Sequence, residues 1–222
     1  SWYDSANGIT PIATGNSFTT PALTQTTSYW VEDAILYDGD DFTGGKTDWT
    51  QNNTGVYQSN SSYYLIFDAH EDLTISSVKV YAQGEATRTI AVVDAAGNTI
   101  QTGDFLVPNG ESVVNLNFSV PQGTGYGLRC FNYNNQGPMF WRDKDLNTAF
   151  GFPFQLGTLA TITNTNVAGA DSDNYYYYFY DWVIEKPDFT CVSQRAEVQA
   201  IVADVAELKD VNTMEIYPNP AV

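Results

Sequence analysis

The chain has 222 residues, enough for one large or two small domains. Only 16% of the residues are charged and 14% are aromatic, a composition typical of an extracellular all-β protein and not of a disordered one. The formal net charge of −17 and the absence of a Lys/Arg run argue against nucleic acid as a partner, and no apolar run reaches the roughly 18 residues of a membrane span.

Residues 1–34 are predicted to form short strands separated by turns at Asn7-Gly8 and Gly15-Asn16. The sequence WYDSANG…TGNSFTTPALTQTTSYWVE resembles the second half of the immunoglobulin-like (Ig-like) domains of secreted Bacteroidetes proteins. The resemblance implies a partial Ig-like domain without its first strands. Such a truncation would leave one edge of its sheet unpaired.

Residues 35–61 are polar and rich in turn signals, so we expect a linker and a loop leading into the next domain. Asp38, Asp40 and Asp41 lie within four positions of one another. Carboxylates and backbone carbonyls are the ligands that calcium prefers, which makes these aspartates a candidate metal site with calcium as the cofactor. The alternative is a solvated acidic loop, since the spacing of a complete EF-hand is absent.

Residues 62–185 are predicted to form the main domain, an antiparallel β-sandwich. Apolar and polar residues alternate strictly in Val114-Asn115-Leu116-Asn117-Phe118, the pattern of a strand buried on one face. About eight strands separated by turn signals predict a jelly-roll-like, all-β fold. The predicted strands cover residues 63–69, 73–83, 87–94, 99–107, 112–120, 125–131, 160–164 and 175–185.

The last of these strands lies in the aromatic stretch NYYYYFYDWVIE, residues 174–185. A continuous strand would place alternate side chains on opposite faces, with Tyr176, Tyr178, Tyr180 and Trp182 on the same one. One face is expected to fill a core. The other either fills a second core or lines a groove, because tyrosine and tryptophan combine an apolar body with a polar tip.

Two further stretches resemble known families. The order of motifs from YYLIFDAHEDLTISSVKVYAQG to YYYYFYDWVIE resembles a β-sandwich module near the C-termini of Bacteroidetes cargo proteins. Residues 214–222 contain IYPNPA, which resembles the start of the type IX secretion sorting domain. These resemblances imply a secreted or cell-surface protein with the type IX machinery as a partner. Residues 186–213 are then a connector. Val198, Ala200 and Val202 alternate as in a strand, but the spacing of the apolar residues also fits a helical face, and we favour a helix over 195–208.

Cys130 and Cys191 are the two cysteines of the chain. In an oxidising compartment they can form a disulfide that closes a loop of about 60 residues. The alternative is two buried free thiols. No cysteine–histidine cluster with the spacing of a zinc site is present.

The residues around Trp141 are the candidate ligand-binding site. A flat ring can pack against the C–H face of a sugar while charged or amide groups bind its hydroxyls. Alternatively, these side chains close one end of the sandwich. The candidate set is Trp141, Arg142, Asp143 and Asn147, near Tyr176, Tyr178 or Trp182.

No catalytic constellation is evident in the sequence. His70, the single histidine, is expected to be an exposed turn residue, and no nucleophile motif accompanies it. We therefore expect a non-catalytic module that binds glycan or another surface polymer. The main alternative is a structural spacer and export module without a ligand, and a calcium-dependent hydrolase fragment is a third.

Overall fold

A computed structural model describes residues 1–51, 54–131, 137–144 and 151–203 of the chain. The described residues are nearly all β, and every strand pairing among them is antiparallel. None of their helices is long and apolar enough to cross a membrane. The strands are β1 (Trp2–Tyr3), β2 (Thr27–Val31), β3 (Ala34–Tyr37), β4 (Asp41–Gly44), β5 (Gly55–Gln58), β6 (Leu65–Ala69), β7 (Leu73–Ala82), β8 (Ala86–Val93), β9 (Thr99–Val107), β10 (Gly110–Val120), β11 (Gly123–Phe131), β12 (Phe140–Lys144), β13 (Phe154–Leu156), β14 (Ala160–Thr165), β15 (Tyr175–Tyr177), β16 (Tyr180–Glu185), β17 (Phe189–Val192) and β18 (Ala196–Ala200).

The chain forms two compact units, and the second is inserted into the first. Among the described residues, the first unit comprises residues 1–37 and 189–203, and the second comprises those between Asp38 and Asp188. The first unit contains a three-stranded sheet of order β1-β2-β18 and a separate pair formed by β3 and β17. The sequence predicts that one edge of the sheet in this domain is unpaired. In the structure, β18 pairs with β2 along one side of this sheet.

The second unit is a β-sandwich of two sheets, as the sequence predicts. One sheet has the order β15-β12-β7-β16-β4, with β10 also paired to β7 and β5 also paired to β12. The other has the order β13-β14-β6-β11-β8-β9. Alternation explains the core: in β10, Val114, Leu116 and Phe118 are buried, whereas the residues between them are exposed.

The aromatic stretch 174–185 is not one continuous strand. It is divided into β15 and β16 by Tyr178 and Phe179, and Tyr178 has a φ angle of 83°, in the left-handed region that non-glycine residues seldom adopt. This break turns five consecutive side chains inward. All residues from Tyr176 to Tyr180 are buried, together with Trp182 and Ile184. The prediction of two alternating faces was therefore wrong.

The expected linker over residues 35–61 is also corrected. Strand β4 pairs with β16, a short 3-10 helix η1 spans Trp49–Gln51, and β5 pairs with β12. Gly44 is one of the turn signals in this segment, but strand packing explains why a glycine is present there. A Cβ atom at Gly44 would lie 2.3 Å from the backbone oxygen of Gln155, so only glycine permits this close approach of two strands.

The predicted connector and its helix differ from the structure in a similar way. Residues 196–200 of the expected 195–208 helix form β18, whose five residues pair with β2. The local spacing of apolar residues fits both a helix and a strand. Pairing with β2, about 170 positions away in the sequence, decides for the strand. Residues 204–222, including the IYPNPA motif, lie outside the described residues.

Candidate functional site

An aromatic pocket with a volume of 280 Å³ lies on the surface of the sandwich unit. Tyr57 is 39% exposed and Glu111 is also exposed, so the pocket opens to solvent. Tyr81 forms its buried floor at 5% exposure. We call this feature the aromatic pocket, and it is lined by Trp49, Tyr57, Tyr81, Gly110, Glu111 and Trp141.

Strand pairing brings these residues together from distant parts of the chain. Tyr57 of β5 lies directly opposite Trp141 of β12, and Glu111 of β10 lies directly opposite Tyr81 of β7. The β12 and β7 strands meet where Phe140 pairs with Ala82. Trp49 completes the group from the 3-10 helix η1, whose start is held by hydrogen bonds from Thr50 to the Asp48 carboxylate.

The aromatic rings of the pocket are inclined to one another and are not stacked in parallel. The Trp141 ring centroid lies 5.2 Å from that of Trp49 and 5.3 Å from that of Tyr57, with interplanar angles of 57° and 82°. Trp49 also contacts Tyr81 edge to face at 6.3 Å. These distances are those of favourable aromatic pairs, so the rings support each other in fixed positions.

The polar groups of the pocket are acidic and hydroxylic. Burial, together with the negative charges of Glu111 and Asp48, raises the pKa of the Tyr81 hydroxyl well above its ordinary value. The phenol therefore keeps its proton and remains a hydrogen-bond donor. The pocket thus presents aromatic rings, a hydroxyl and a carboxylate at one place.

A buried ion pair lies next to the pocket. The Lys46 Nζ atom is 2.5 Å from Asp143 Oδ2, and both side chains are fully buried. The Trp141 indole N–H donates a hydrogen bond of 2.8 Å to Asp143 Oδ1, so one residue contacts both features. Burial raises the pKa of the Asp143 carboxyl, although hydrogen bonding to Lys46 opposes this effect.

The structure divides the predicted ligand-binding residues among different environments. Trp141 lines the aromatic pocket, whereas Asp143 is buried against Lys46. Arg142 points to the other side of β12, where its guanidinium lies 4.5 Å from the centre of the Tyr175 ring. Asn147 is outside the described residues.

Tyr176, Tyr178 and Trp182 are core residues and cannot contact a ligand at the surface. Each has no exposed area, and the polar tips are used internally. The Tyr178 hydroxyl donates to the backbone oxygen of Asn60, and the Trp182 indole donates to that of Phe179. The prediction of these three as site residues was wrong, because the break between β15 and β16 turns their side chains into the core.

The structure does not assemble the predicted calcium site. Asp38, Asp40 and Asp41 are exposed, and the described residues contain no group of three or more His, Cys, Asp or Glu side chains that could hold a metal ion. Backbone pairing accounts for this region instead. Asp41 pairs with Glu185, and the Asp40 carbonyl accepts a hydrogen bond from the Lys186 amide.

The predicted disulfide is absent, because both cysteines are free. Cys130 is fully buried on β11 in the sandwich core, whereas Cys191 is exposed on β17 of the other unit. Burial raises the pKa of the Cys130 thiol to about 12, so it stays protonated and packs as an apolar group. His70 is exposed, as expected, and hydrogen-bonds to the Thr161 hydroxyl.

Sequence reasoning missed Trp49, Tyr57, Tyr81 and Glu111 as members of the site. One signal was present, since Val78, Val80 and Ala82 share a face of β7 and therefore place Tyr81 on the opposite one. The positions of Trp49 and Tyr57 carried no such signal, because both lie in the segment whose composition indicates a loop.

The comparisons with known proteins concern the start of the chain. Residues 1–38 match the model of a family described as an Ig-like domain, CHU_C associated. No curated protein and no solved structure matches the chain. The family match confirms the Ig-like part of the prediction for residues 1–38, and the two sheets of the second unit confirm an all-β sandwich.

Proposed function

We propose that the sandwich unit is a non-catalytic recognition module that binds glycan through the aromatic pocket. The observation that carries this proposal is the convergence of Trp49, Tyr57 and Trp141 around the buried Tyr81 hydroxyl. The rings of Trp49, Tyr57 and Trp141 are partly accessible and lie together at one place on the surface. Such rings are held in place before a ligand arrives, which reduces the entropy lost on binding.

The chemistry of the pocket suits a neutral or basic sugar. The C–H groups on one face of a pyranose ring are apolar and pack well against indole and phenol rings. Its hydroxyls can donate to the Glu111 carboxylate, which also interacts with the Tyr81 hydroxyl. The negative charge at Glu111 and the net charge of −17 disfavour sulfated or uronic acid polymers.

A secreted or cell-surface location is part of the same proposal. The Ig-like family match at residues 1–38 and the acidic, aromatic-rich composition support it. Export by the type IX machinery rests on the resemblance of residues 214–222 to a sorting domain. The insertion of the sandwich between strands of the first unit is also compatible with the alternative role of a spacer without its own ligand.

The test is a glycan array probed with the 222-residue protein, with and without calcium. A glycan that binds is then titrated against Trp49→Ala and Tyr57→Ala. We expect each variant to lose roughly 30-fold in affinity, because truncating a central aromatic residue of a binding site costs about 2 kcal/mol. These two are better choices than Trp141→Ala, which would also remove the hydrogen bond to buried Asp143.

The control is Tyr37→Ala, which truncates a tyrosine of similar exposure (45%) on β3, outside the pocket. Its affinity is expected to equal that of the unchanged protein. An array that stays silent with and without calcium would reject glycan recognition and favour the spacer. Binding that survives both pocket variants would place the site elsewhere.

A further inference from the structure

We propose that Lys46 and Asp143 become joined by a covalent isopeptide bond, an amide between the two side chains. The two residues are 97 positions apart in sequence, yet Lys46 Nζ and Asp143 Oδ2 are only 2.5 Å apart. Neither side chain has any exposed area. The amine is therefore in contact with an oxygen that is bonded to the carbon atom it would attack, and bulk solvent does not reach either group.

The Lys46 amine has few polar neighbours other than Asp143. An ammonium group has three N–H donors, but among the described residues the only hydrogen-bond acceptor of Lys46 Nζ is Asp143. The neighbouring backbone amide of Lys46 is bound to the Tyr176 hydroxyl, in the aromatic core. Burial raises the pKa of the Asp143 carboxyl, which favours the protonated acid that a condensation with the amine requires.

The carboxyl group is also held in a defined orientation. The Trp141 indole donates to Oδ1 at 2.8 Å, and it can stabilise the negative charge that develops on this oxygen during attack on the carbon. The hydroxyl of Tyr180 is fully buried beside the same carboxyl and interacts with it. This hydroxyl is available to pass a proton to the departing oxygen.

The reaction balances as a condensation. The lone pair of the neutral Lys46 amine forms a bond to Cγ of the protonated Asp143 carboxyl. The Cγ–Oδ2 bond then breaks, and Oδ2 leaves as water with its own proton and one from the amine. Oδ1 remains as the amide oxygen, bound to Trp141. No oxidant, metal or cofactor is needed, and the buried product is a neutral amide.

Intact mass spectrometry of the purified 222-residue protein tests the proposal without any variant. The expected mass is lower than that of the sequence by one water molecule. A folded protein whose mass equals that of the sequence, and stays so on prolonged incubation, would overturn the proposal and leave an ordinary buried ion pair.

Two substitutions of the pair test its chemistry. Lys46→Arg keeps a positive charge but lacks the amine, so its mass is expected to equal that of its sequence. Asp143→Asn is expected to lose ammonia in place of water, because the leaving group changes. A Lys46→Arg protein that still loses water would place the dehydration elsewhere and overturn the proposal.

A matched control is the second Lys–Asp pair of this unit. Lys79 Nζ lies 3.0 Å from Asp181 Oδ2, but these side chains are 19% and 39% exposed. We expect Lys79→Arg to retain the loss of one water. Fragmentation of a protease digest should show one branched peptide that joins Lys46 to Asp143. Location of the loss at Asp38-Gly39, a sequence prone to cyclic imide formation, would contradict the cross-link.

Discussion

Trp141 shows how one residue can belong to two different features of the sandwich. Its ring lines the aromatic pocket, whereas its indole N–H holds the buried Asp143 carboxyl. Strand geometry explains the link, because residues 141 and 143 lie two positions apart on β12 and share a face. A ligand against Trp141 would therefore contact a residue whose position is fixed by the Lys46–Asp143 pair.

At the same scale, Glu32 makes the first unit sensitive to acid. Its carboxylate accepts hydrogen bonds from the Tyr3 hydroxyl and from Arg195 Nε, the latter at 2.7 Å. Hydrogen bonding to Arg195 is the main cause that lowers the pKa of Glu32 in the folded state. A lowered pKa stabilises the fold above the ordinary pKa of glutamate, and this contribution is lost as the pH falls through the lowered value.

We therefore expect Glu32→Gln to weaken hydrogen-exchange protection of the β18 amides at neutral pH, because Arg195 immediately precedes β18. The difference between the variant and the unchanged protein should vanish at a pH below the lowered pKa of Glu32. Glu197→Gln on β18 is the control, since Glu197 accepts from the neutral Ser28 and Gln199 side chains and should have a smaller effect. Equal effects of the two variants, or a pH-independent difference, would contradict this role of the ion pair.

At the scale of elements, close approach to neighbouring segments accounts for the glycines around β4. Gly45 has a φ angle of +79°, and a Cβ atom there would lie 2.7 Å from the Tyr176 hydroxyl and 3.2 Å from Ile162 Cδ1. Gly97 has a similar φ angle of +86°, but a Cβ atom there would have no neighbour within 4 Å. A substitution at either position would therefore strain the backbone. Only at Gly45 would the added side chain also collide with neighbouring atoms.

We expect Gly97→Ala to lower the free energy of unfolding by roughly 1 kcal/mol, the effect of placing alanine at a positive φ angle. Gly45→Ala should lower it by about 1–3 kcal/mol more, because the methyl group overpacks the core. Urea denaturation of both variants measures the difference, provided that the slope with denaturant is unchanged. Equal destabilisation would show that the core accommodates the methyl group without strain.

The elements that could be predicted from sequence are those whose order depends on a local pattern. The range predicted for β9 coincides with the strand, and β7, β8, β10 and β11 differ from their predicted ranges by one or two residues at each shifted end. Their alternation reports burial on one face, which follows from neighbouring positions alone. The strands β4, β5, β12 and β13 have no such alternation, and they exist because distant partners hydrogen-bond to them.

The candidate site was harder to predict than the fold for the same reason. Trp141 was identified because its segment mixes aromatic rings with charged residues, but its partners depend on pairings across more than 50 positions. The strand register decides that Tyr57 and not Val56 lies beside it, and register is set by the whole sheet. Aromatic richness alone favoured residues 176–182, where the bend at Tyr178 directs the rings into the core.

At the scale of the whole molecule, the two units differ in how much apolar surface they bury. The buried apolar side chains described in the first unit are Tyr3 and Tyr29, whereas the sandwich contains a continuous core from Leu65 to Ile184. The sandwich also closes its own ends. The Gly39 amide donates to Asp188 Oδ1 at 2.8 Å, and the Lys186 amide donates to the Asp40 carbonyl at 3.0 Å.

We therefore expect a fragment of residues 38–188 to fold without the first unit. A domain of about 150 residues buries roughly 70% of the surface of its unfolded chain, which is enough for stability. The fragment should give a cooperative unfolding transition and a near-ultraviolet circular dichroism signal from its packed rings. Because Lys46 and Asp143 both lie inside it, its mass should also be lower by one water molecule. A fragment without cooperative unfolding would show that the sandwich core is insufficient by itself and that the strands on either side of the insertion contribute to its stability.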